Sequence, residues 1–163
     1  MTPIEIFTIG KGLWELYETI IEDDGNKKPE TNEQDRNTND PPGSWSYFGI
    51  DEFRCPCCHR NNISHDLVNR LDRARKLAGV PFRINSGYRC KSYNSSPRIG
   101  GKPRSAHLKG FAVDIHAPTG SLKGVILPSL YAVGIKRVGI YKSFIHADID
   151  DNLPKPMVFG EGI

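Results

Sequence analysis

The chain has 163 residues, a net charge of +3 and 37% hydrophobic residues. This length allows one domain with a hydrophobic core but hardly a second one. No run of apolar residues approaches the ~20 needed to cross a bilayer, so we expect no membrane span.

The first 44 residues divide into two segments of different composition. Residues 1–21 carry apolar side chains at helical spacing, which predicts a short amphipathic helix that docks on the domain or on a partner. Residues 22–44 contain no aliphatic or aromatic side chain and therefore predict a flexible linker. The remaining residues, 45–163, are predicted to form the single folded domain.

The folded domain begins with a well-marked helix. Ser64 is a suitable N-cap, the apolar residues of 65–78 follow helical spacing, and Gly79 is a suitable stop. A second helix is expected within 121–133, where Pro128 would limit or kink it.

Strand-like runs lie between and after these helices. They occur at residues 81–87, 111–115, 137–141 and 144–149. The last two are close enough to form a hairpin, and residues 92–106 read as a long loop. Because strands and helices do not alternate strictly, we expect an α+β fold with a small, mostly antiparallel sheet and helices packed on one side.

The segment SAHLKGFAVDIHA carries His107, Asp114 and His116, and FIHADI carries His146 and Asp148. A catalytic zinc ion needs about three protein ligands of these types. Residues two apart on a strand share a face, so His146 and Asp148 would project together. Spacing alone leaves open whether these side chains bind a metal or only hydrogen-bond to one another.

Three motifs, INSGYRC, SAHLKGFAVDIH and GIYKSFIHADI, occur in this order. With them, residues 48–150 resemble the zinc D-alanyl-D-alanine carboxypeptidases and murein endopeptidases, a family that includes vancomycin-resistance dipeptidases and phage endolysins. The resemblance implies a hedgehog/DD-peptidase-like fold. It also implies zinc ligands and substrate-contacting residues. The implied ligands are His107, Asp114 and His146, and the implied substrate contacts are Tyr88, Arg89 and Ser105.

The sequence departs from this family at the proton-transferring residue. Many members carry an Asp or Glu three positions before the last zinc ligand, and Ser143 stands there in this chain. Asp148 is therefore predicted as the general base, with Arg89 stabilising the oxyanion or holding a substrate carboxylate. Alternatively, Asp148 orients His146. Three roles stay open for His116: a role beside the metal, a substrate contact and a purely structural role.

All four cysteines of the chain lie near these motifs: Cys55, Cys57, Cys58 and Cys90. Three interpretations stay open. Cys90 forms a disulfide with one of the others, or the four thiols bind a structural zinc ion, or they are free.

The leading functional hypothesis is a zinc-dependent peptidase acting on peptidoglycan stem peptides, at a terminal D-alanine or at an internal bond. Between Asp72 and Asp114 there are ten basic residues and no acidic one, which favours a carboxylate-bearing partner. A catalytically inactive wall-binding module is the second hypothesis. Nucleic acid is a weaker candidate partner, because few aromatic side chains and no recognition motif accompany the basic residues.

The first residues do not resemble a secretory signal. Access to the cell wall would then come through lysis or an infecting particle, so we expect a phage-type or virion-associated enzyme. Residues 1–21 would suit attachment to such an assembly, and the domain itself is expected to act as a monomer.

Overall fold

The computed structural model describes residues 44–161. The predicted N-terminal helix and all of the predicted linker except Ser44 lie outside the described residues. Within the described part, no helix is long and apolar enough to cross a membrane.

Within residues 44–161, the chain forms three helices, five strands and two 3₁₀ turns. The helices are α1 (His65–Ala78), α2 (Lys91–Asn94) and α3 (Gly120–Ala132). The strands are β1 (Ile84–Ser86), β2 (Ala112–His116), β3 (Arg137–Ile140), β4 (Phe144–Asp148) and β5 (Met157–Gly160). The 3₁₀ turns are Ile50–Phe53 and Ala106–Lys109.

The strands form one sheet in the order β1-β2-β4-β3-β5. The β1-β2, β2-β4 and β4-β3 pairs are antiparallel, whereas β5 runs parallel to β3 at the edge. This confirms the predicted α+β fold with a mostly antiparallel sheet. The edge strand β5 was not predicted, because its four largely exposed residues show no clear alternation of apolar and polar side chains.

One face of the sheet forms the hydrophobic core with α1 and α3. Alternate strand residues point to this face, and the core includes Val113, Ile115, Val138, Ile145 and Ala147. They lie in the same buried cluster as residues from both helices: Leu67, Val68, Leu71, Ala74, Ile126 and Leu130. The opposite face of the sheet is consequently left for polar side chains.

The predicted ends of α1 are confirmed. The Ser64 hydroxyl accepts a hydrogen bond from the Leu67 N–H at 3.4 Å, and Gly79 ends the helix with φ of 64°. Helix α3 begins after Thr119 and continues through Pro128, so the proline does not end it. Gly124 and Pro128 are both exposed, and water can therefore satisfy the carbonyl that the missing proline N–H would have bonded.

Two predicted segments are shorter than expected. The strand predicted over 81–87 is regular only at β1, where its register against β2 is interrupted by a bulge. The loop predicted over 92–106 is interrupted at its start by α2 and at its end by the second 3₁₀ turn. The buried Asn94 ties the remaining loop together, because its side-chain Nδ2 donates to the Lys102 carbonyl at 3.1 Å.

Candidate metal centre

The polar face of the sheet carries the second and third predicted ligands. Asp114 on β2 pairs in register with His146 on β4, and residues directly opposite each other in antiparallel strands project to the same side. The register of the sheet therefore sets these two side chains next to each other.

His107 reaches the same place from the 3₁₀ turn Ala106–Lys109, which ends at Gly110 with φ of 75°. A Cβ atom at Gly110 would lie 1.8 Å from the Asn62 carbonyl oxygen. This position therefore requires glycine for both its backbone conformation and the close approach of the neighbouring chain.

The three side chains meet around one carboxylate oxygen. Asp114 Oδ1 lies 3.2 Å from His107 Nε2 and 3.0 Å from His146 Nδ1. One potential ligand atom from each residue falls within 4.8 Å of the others. The exposed fractions of the side chains are 3%, 10% and 15% for His107, Asp114 and His146, so the cluster is largely shielded from water.

The hydrogen-bond partner of the His107 ring indicates that His107 and Asp114 suit a metal cation. The other ring nitrogen of His107, Nδ1, lies 2.7 Å from the Gly87 carbonyl oxygen, which can only accept a hydrogen bond. In a neutral His107 the proton is thus on Nδ1, and the lone pair of Nε2 faces the Asp114 carboxylate. Two acceptors at this distance need a proton or a cation between them, and a neutral imidazole with a carboxylate is a typical zinc donor set.

Burial and the charge of Asp114 together lower the pKa of one histidine and raise the pKa of the other. Burial lowers the pKa of His107, which outweighs its hydrogen bond to Asp114. Burial also acts to lower the pKa of His146, but hydrogen bonds to Asp114 and Asp148 outweigh it and raise the pKa. Burial alone would raise the pKa of Asp114, yet its hydrogen bonds to both histidines hold it well below its usual range. The carboxylate is therefore ionised and able to attract a cation.

Asp148 lies on the far side of His146. Its Oδ2 is 3.0 Å from His146 Nε2 and 3.1 Å from Arg137 Nε, and its Oδ1 accepts from the Asp150 backbone N–H at 3.3 Å. The side chain is fully buried. Both oxygens are thus occupied, and the carboxylate faces the ring nitrogen opposite the Asp114 side. This geometry favours the orienting role that the sequence left open over the role of base.

Arg89 contacts the metal-facing carboxylate directly. Its Nη2 donates to Asp114 Oδ2, and its Nε donates to the Ser86 hydroxyl at 2.8 Å. The side chain is 13% exposed. Arg89 therefore adjoins the cluster, as expected of a substrate-contacting residue, but part of its guanidinium is committed to Asp114.

The other predicted site residues lie around the cluster without joining it. Tyr88 and Ser105 are half-buried, and in the described part of the chain neither side chain hydrogen-bonds to the three ligands. His116 shares the polar face of β2 but pairs with Phe144 at the end of the strand. Among the described residues, the cluster of potential ligands on this sheet does not include His116.

Sequence reasoning missed an aromatic wall beside His146. Phe159 of β5 lies 5.7 Å from the His146 ring, and Tyr141 lies 6.5 Å from Phe159, measured between ring centroids. The two rings pack over Gly139, where a Cβ atom would lie 2.7 Å from Phe159 and 2.9 Å from Tyr141. Tyr141 directly follows β3 and comes two positions after Gly139, so strand alternation could have indicated that both lie on the same face. Phe159 belongs to the strand that was not predicted.

The four cysteines form a second cluster, composed of Cys55, Cys57, Cys58 and Cys90. All four are free thiols in the structure. Cys55 and Cys90 are buried, and one potential ligand atom from each of the four lies within 4.8 Å of the others. The disulfide predicted from the sequence as one of three alternatives is not formed here.

Comparisons with known proteins bear on most of the domain. A family model described as Peptidase M15 matches residues 47–148. Among solved structures, the L-Ala D-Glu endopeptidase ChiX of Serratia marcescens is similar, with 22% sequence identity and a TM-score of 0.45. That match covers 56% of this chain and 83% of the other. No curated protein sequence matches this chain.

Proposed function

Because this chain belongs to the peptidase M15 family, we propose that it is a zinc-dependent peptidase that hydrolyses amide bonds in peptidoglycan stem peptides. The observation that carries the proposal is the convergence of His107, Asp114 and His146 on one carboxylate oxygen, with one ring nitrogen of each histidine facing it. The order of the three sequence motifs supports the substrate class.

His107 Nε2, Asp114 and His146 Nδ1 would hold the zinc ion. When bound, zinc supplies Lewis-acid polarisation of the amide carbonyl and makes water a better nucleophile at neutral pH. The chain itself keeps the ligands ready for this. The Gly87 carbonyl fixes the proton of a neutral His107 on Nδ1, and Asp148 would accept a hydrogen bond from His146 Nε2 when Nδ1 holds the ion.

We assign Asp148 to positioning rather than to proton transfer. Its carboxylate accepts from His146 and pairs with Arg137, and it is fully buried, so a water on the Asp114 side of the ring is beyond its reach. Such carboxylate–histidine pairs orient a metal ligand and make it more basic.

Glu161 is the carboxylate that we propose as base. Glu161 follows β5, and its Oε2 accepts a hydrogen bond from the Lys142 N–H at 3.2 Å. Lys142 lies next to Ser143, which stands where many members of the family carry an acidic residue. Burial raises the pKa of Tyr141 beside the cluster, and the negative charges of Asp114 and Glu161 raise it further. With its exposed side chain turned from the Lys142 N–H towards the cluster, Glu161 would supply the proton acceptor that the serine lacks.

Arg89 has a double role in this proposal. Its hydrogen bond to Asp114 Oδ2 holds the ligand carboxylate, and the remaining N–H groups of its guanidinium are available to a substrate carbonyl or carboxylate. Tyr88 and Ser105 complete the predicted substrate contacts as half-buried neighbours.

The charge of the neighbouring surface fits acidic stem peptides. Four exposed basic side chains precede the turn that carries His107: Lys91, Arg98, Lys102 and Arg104. A concentration of positive charge attracts carboxylates of the substrate and speeds its encounter with the site. The phage-type setting and the assembly contact of residues 1–21 remain predictions, as does the monomeric state.

Digestion of purified peptidoglycan tests the proposed function. The full chain should release peptides or D-alanine, a chelator should stop the release, and added zinc should restore it. Mass spectrometry of the products identifies the bond that is cleaved. Binding to the peptidoglycan without any released product would reject the peptidase proposal and support the inactive wall-binding module.

A further inference from the structure

The cysteine cluster brings together two segments that are distant in the sequence. Cys55, Cys57 and Cys58 lie in the loop after the first 3₁₀ turn, and Cys90 directly precedes α2. The loop folds back on itself, because the Cys55 N–H donates to the Arg60 carbonyl and the His59 N–H donates to the Cys55 carbonyl, both at 2.9 Å. This tight turn directs several sulfur atoms to one side.

The spacing of the sulfur atoms matches a tetrahedral metal site. Cys55 Sγ lies 3.7 Å from Cys57 Sγ, and Cys57 Sγ lies 3.2 Å from Cys90 Sγ. Zinc–sulfur bonds of about 2.3 Å at tetrahedral angles separate the sulfurs by about 3.8 Å. One ion at the centre of the cluster would therefore reach all four thiolates with small adjustments.

Hydrogen-bond donors surround the sulfur atoms and would stabilise thiolates. The Cys90 N–H donates to Cys55 Sγ at 3.4 Å, and Arg60 Nε donates to Cys58 Sγ at 3.5 Å. The Ser92 hydroxyl lies 3.2 Å from Cys90 Sγ. A positive guanidinium beside the cluster also offsets the net negative charge of four thiolates around a divalent ion.

We propose that Cys55, Cys57, Cys58 and Cys90 bind a structural zinc ion, separate from the metal centre on the sheet. The site has four protein ligands and so no open position, which is the arrangement of structural zinc sites. The proposal stands on the four-sulfur geometry and does not depend on the peptidase activity.

This ion would brace the segment that supports the metal centre. The Tyr88 N–H donates to the Phe53 carbonyl at 2.9 Å, so the segment already rests on the turn preceding the cysteine loop. The Gly87 carbonyl fixes the His107 ring, and Arg89, next to Cys90, holds Asp114. A zinc ion joining Cys90 to the cysteine loop would fix both ends of this short segment.

Metal analysis of the full chain with the sheet site removed tests the proposal. The double variant His107→Ala/His146→Ala leaves every cysteine in place, so we expect it to retain one zinc per chain by native mass spectrometry. The chain has four cysteines in all, and every thiol therefore reports on this cluster. Alkylation should be slow with zinc bound and should reach all four thiols once a strong chelator has removed it.

Cobalt replacement and single variants sharpen the test. Cobalt bound to the double variant should give the intense thiolate charge-transfer absorption of a sulfur-rich tetrahedral site. In the otherwise unchanged chain, Cys58→Ser should lose one zinc, whereas His59→Asn, at the exposed neighbouring histidine, should keep it. The proposal is overturned by a double variant that is metal-free after growth and purification with zinc, by rapid alkylation with zinc present, or by a native mass showing two hydrogens lost to a disulfide.

Discussion

The two clusters of potential metal ligands are held in different ways. Asp114 and His146 sit on paired strands, and each of the three proposed ligands is also held by a protein group outside the cluster, which is Gly87 for His107, Arg89 for Asp114 and Asp148 for His146. The cysteine cluster lies on loops and depends on a few hydrogen bonds to weak sulfur acceptors. A site on a sheet can keep its shape without the ion, whereas a site on loops needs the ion to define it. Chemistry is thus expected at the first cluster and folding stability from the second.

The largest effect on activity is expected from removing a ligand on the sheet. His107→Ala deletes one of three proposed zinc ligands, so hydrolysis should fall by about 10³-fold or more, on the order of 4 kcal/mol of transition-state stabilisation. Steady-state assays on purified peptidoglycan fragments measure the loss. Thermal unfolding should change far less than activity, and native mass spectrometry should still find zinc at the cysteines. Wild-type turnover in this variant would show that the sheet cluster takes no part in hydrolysis.

Substitutions at Glu161 and Asp148 separate the proposed base from the proposed positioning residue. Glu161→Gln should lower kcat by about 10²-fold or more with no loss of zinc, since a general base contributes roughly 10²- to 10⁴-fold. Asp148→Asn should instead weaken zinc binding by about 10- to 100-fold. Activity of the Asp148 variant should therefore recover in excess zinc, whereas that of the Glu161 variant should not.

Titrating both variants with zinc while recording kcat and metal content makes this comparison. The reversed pattern, with activity lost in Asp148→Asn at full zinc loading and kept in Glu161→Gln, would return Asp148 to the role of base that the sequence predicted.

A smaller effect on activity is expected from the cysteine cluster. Cys90→Ser should lower the thermal midpoint and reduce activity by about 10-fold, because the segment that supports His107 and Arg89 loses one anchor. Added zinc should not rescue this variant. The matched variant Ser92→Ala removes only the hydroxyl beside Cys90 Sγ and should have a weaker effect on both measurements. Equal activity and stability in Cys90→Ser and the wild type would show that the cysteine cluster stabilises neither the fold nor the segment that supports His107 and Arg89.

The difference between local signals and contacts across the chain explains how much of the molecule the sequence could predict. Helix α1 was predicted to the residue because Ser64, the apolar spacing and Gly79 are local signals. The resemblance carried by three motifs in order implied that His107, Asp114 and His146 lie together, and the sheet register with the turn of His107 brings them together. The helix thus followed from local pattern and the ligand set from the resemblance.

The remaining features depend on contacts across the chain. The burial of Asp148 behind His146 follows from the pairing of Arg137 with Asp148 across β3 and β4, which no local pattern encodes. Strand β5 has no periodic signal and is ordered by its parallel partner, so Phe159 and Glu161 were missed with it. For the cysteines, the sequence named the four residues but could not choose among disulfide, metal and thiols, because that choice depends on sulfur distances.

The smallest effect is expected at a site outside both clusters. Ser64→Ala removes the hydroxyl that accepts from the Leu67 N–H, and loss of such a cap costs about 1 kcal/mol of folding free energy. The Ser64 backbone N–H also donates to the Gly110 carbonyl at 2.9 Å, and the substitution leaves that bond to the turn of His107 in place. Denaturant unfolding should therefore show a modest loss of stability, with the zinc content and kcat both unchanged. A drop in kcat or in zinc would mean that α1 transmits its stability to the metal centre through Gly110, and that the sheet cluster is less independent of its surroundings than its dense hydrogen bonding indicates.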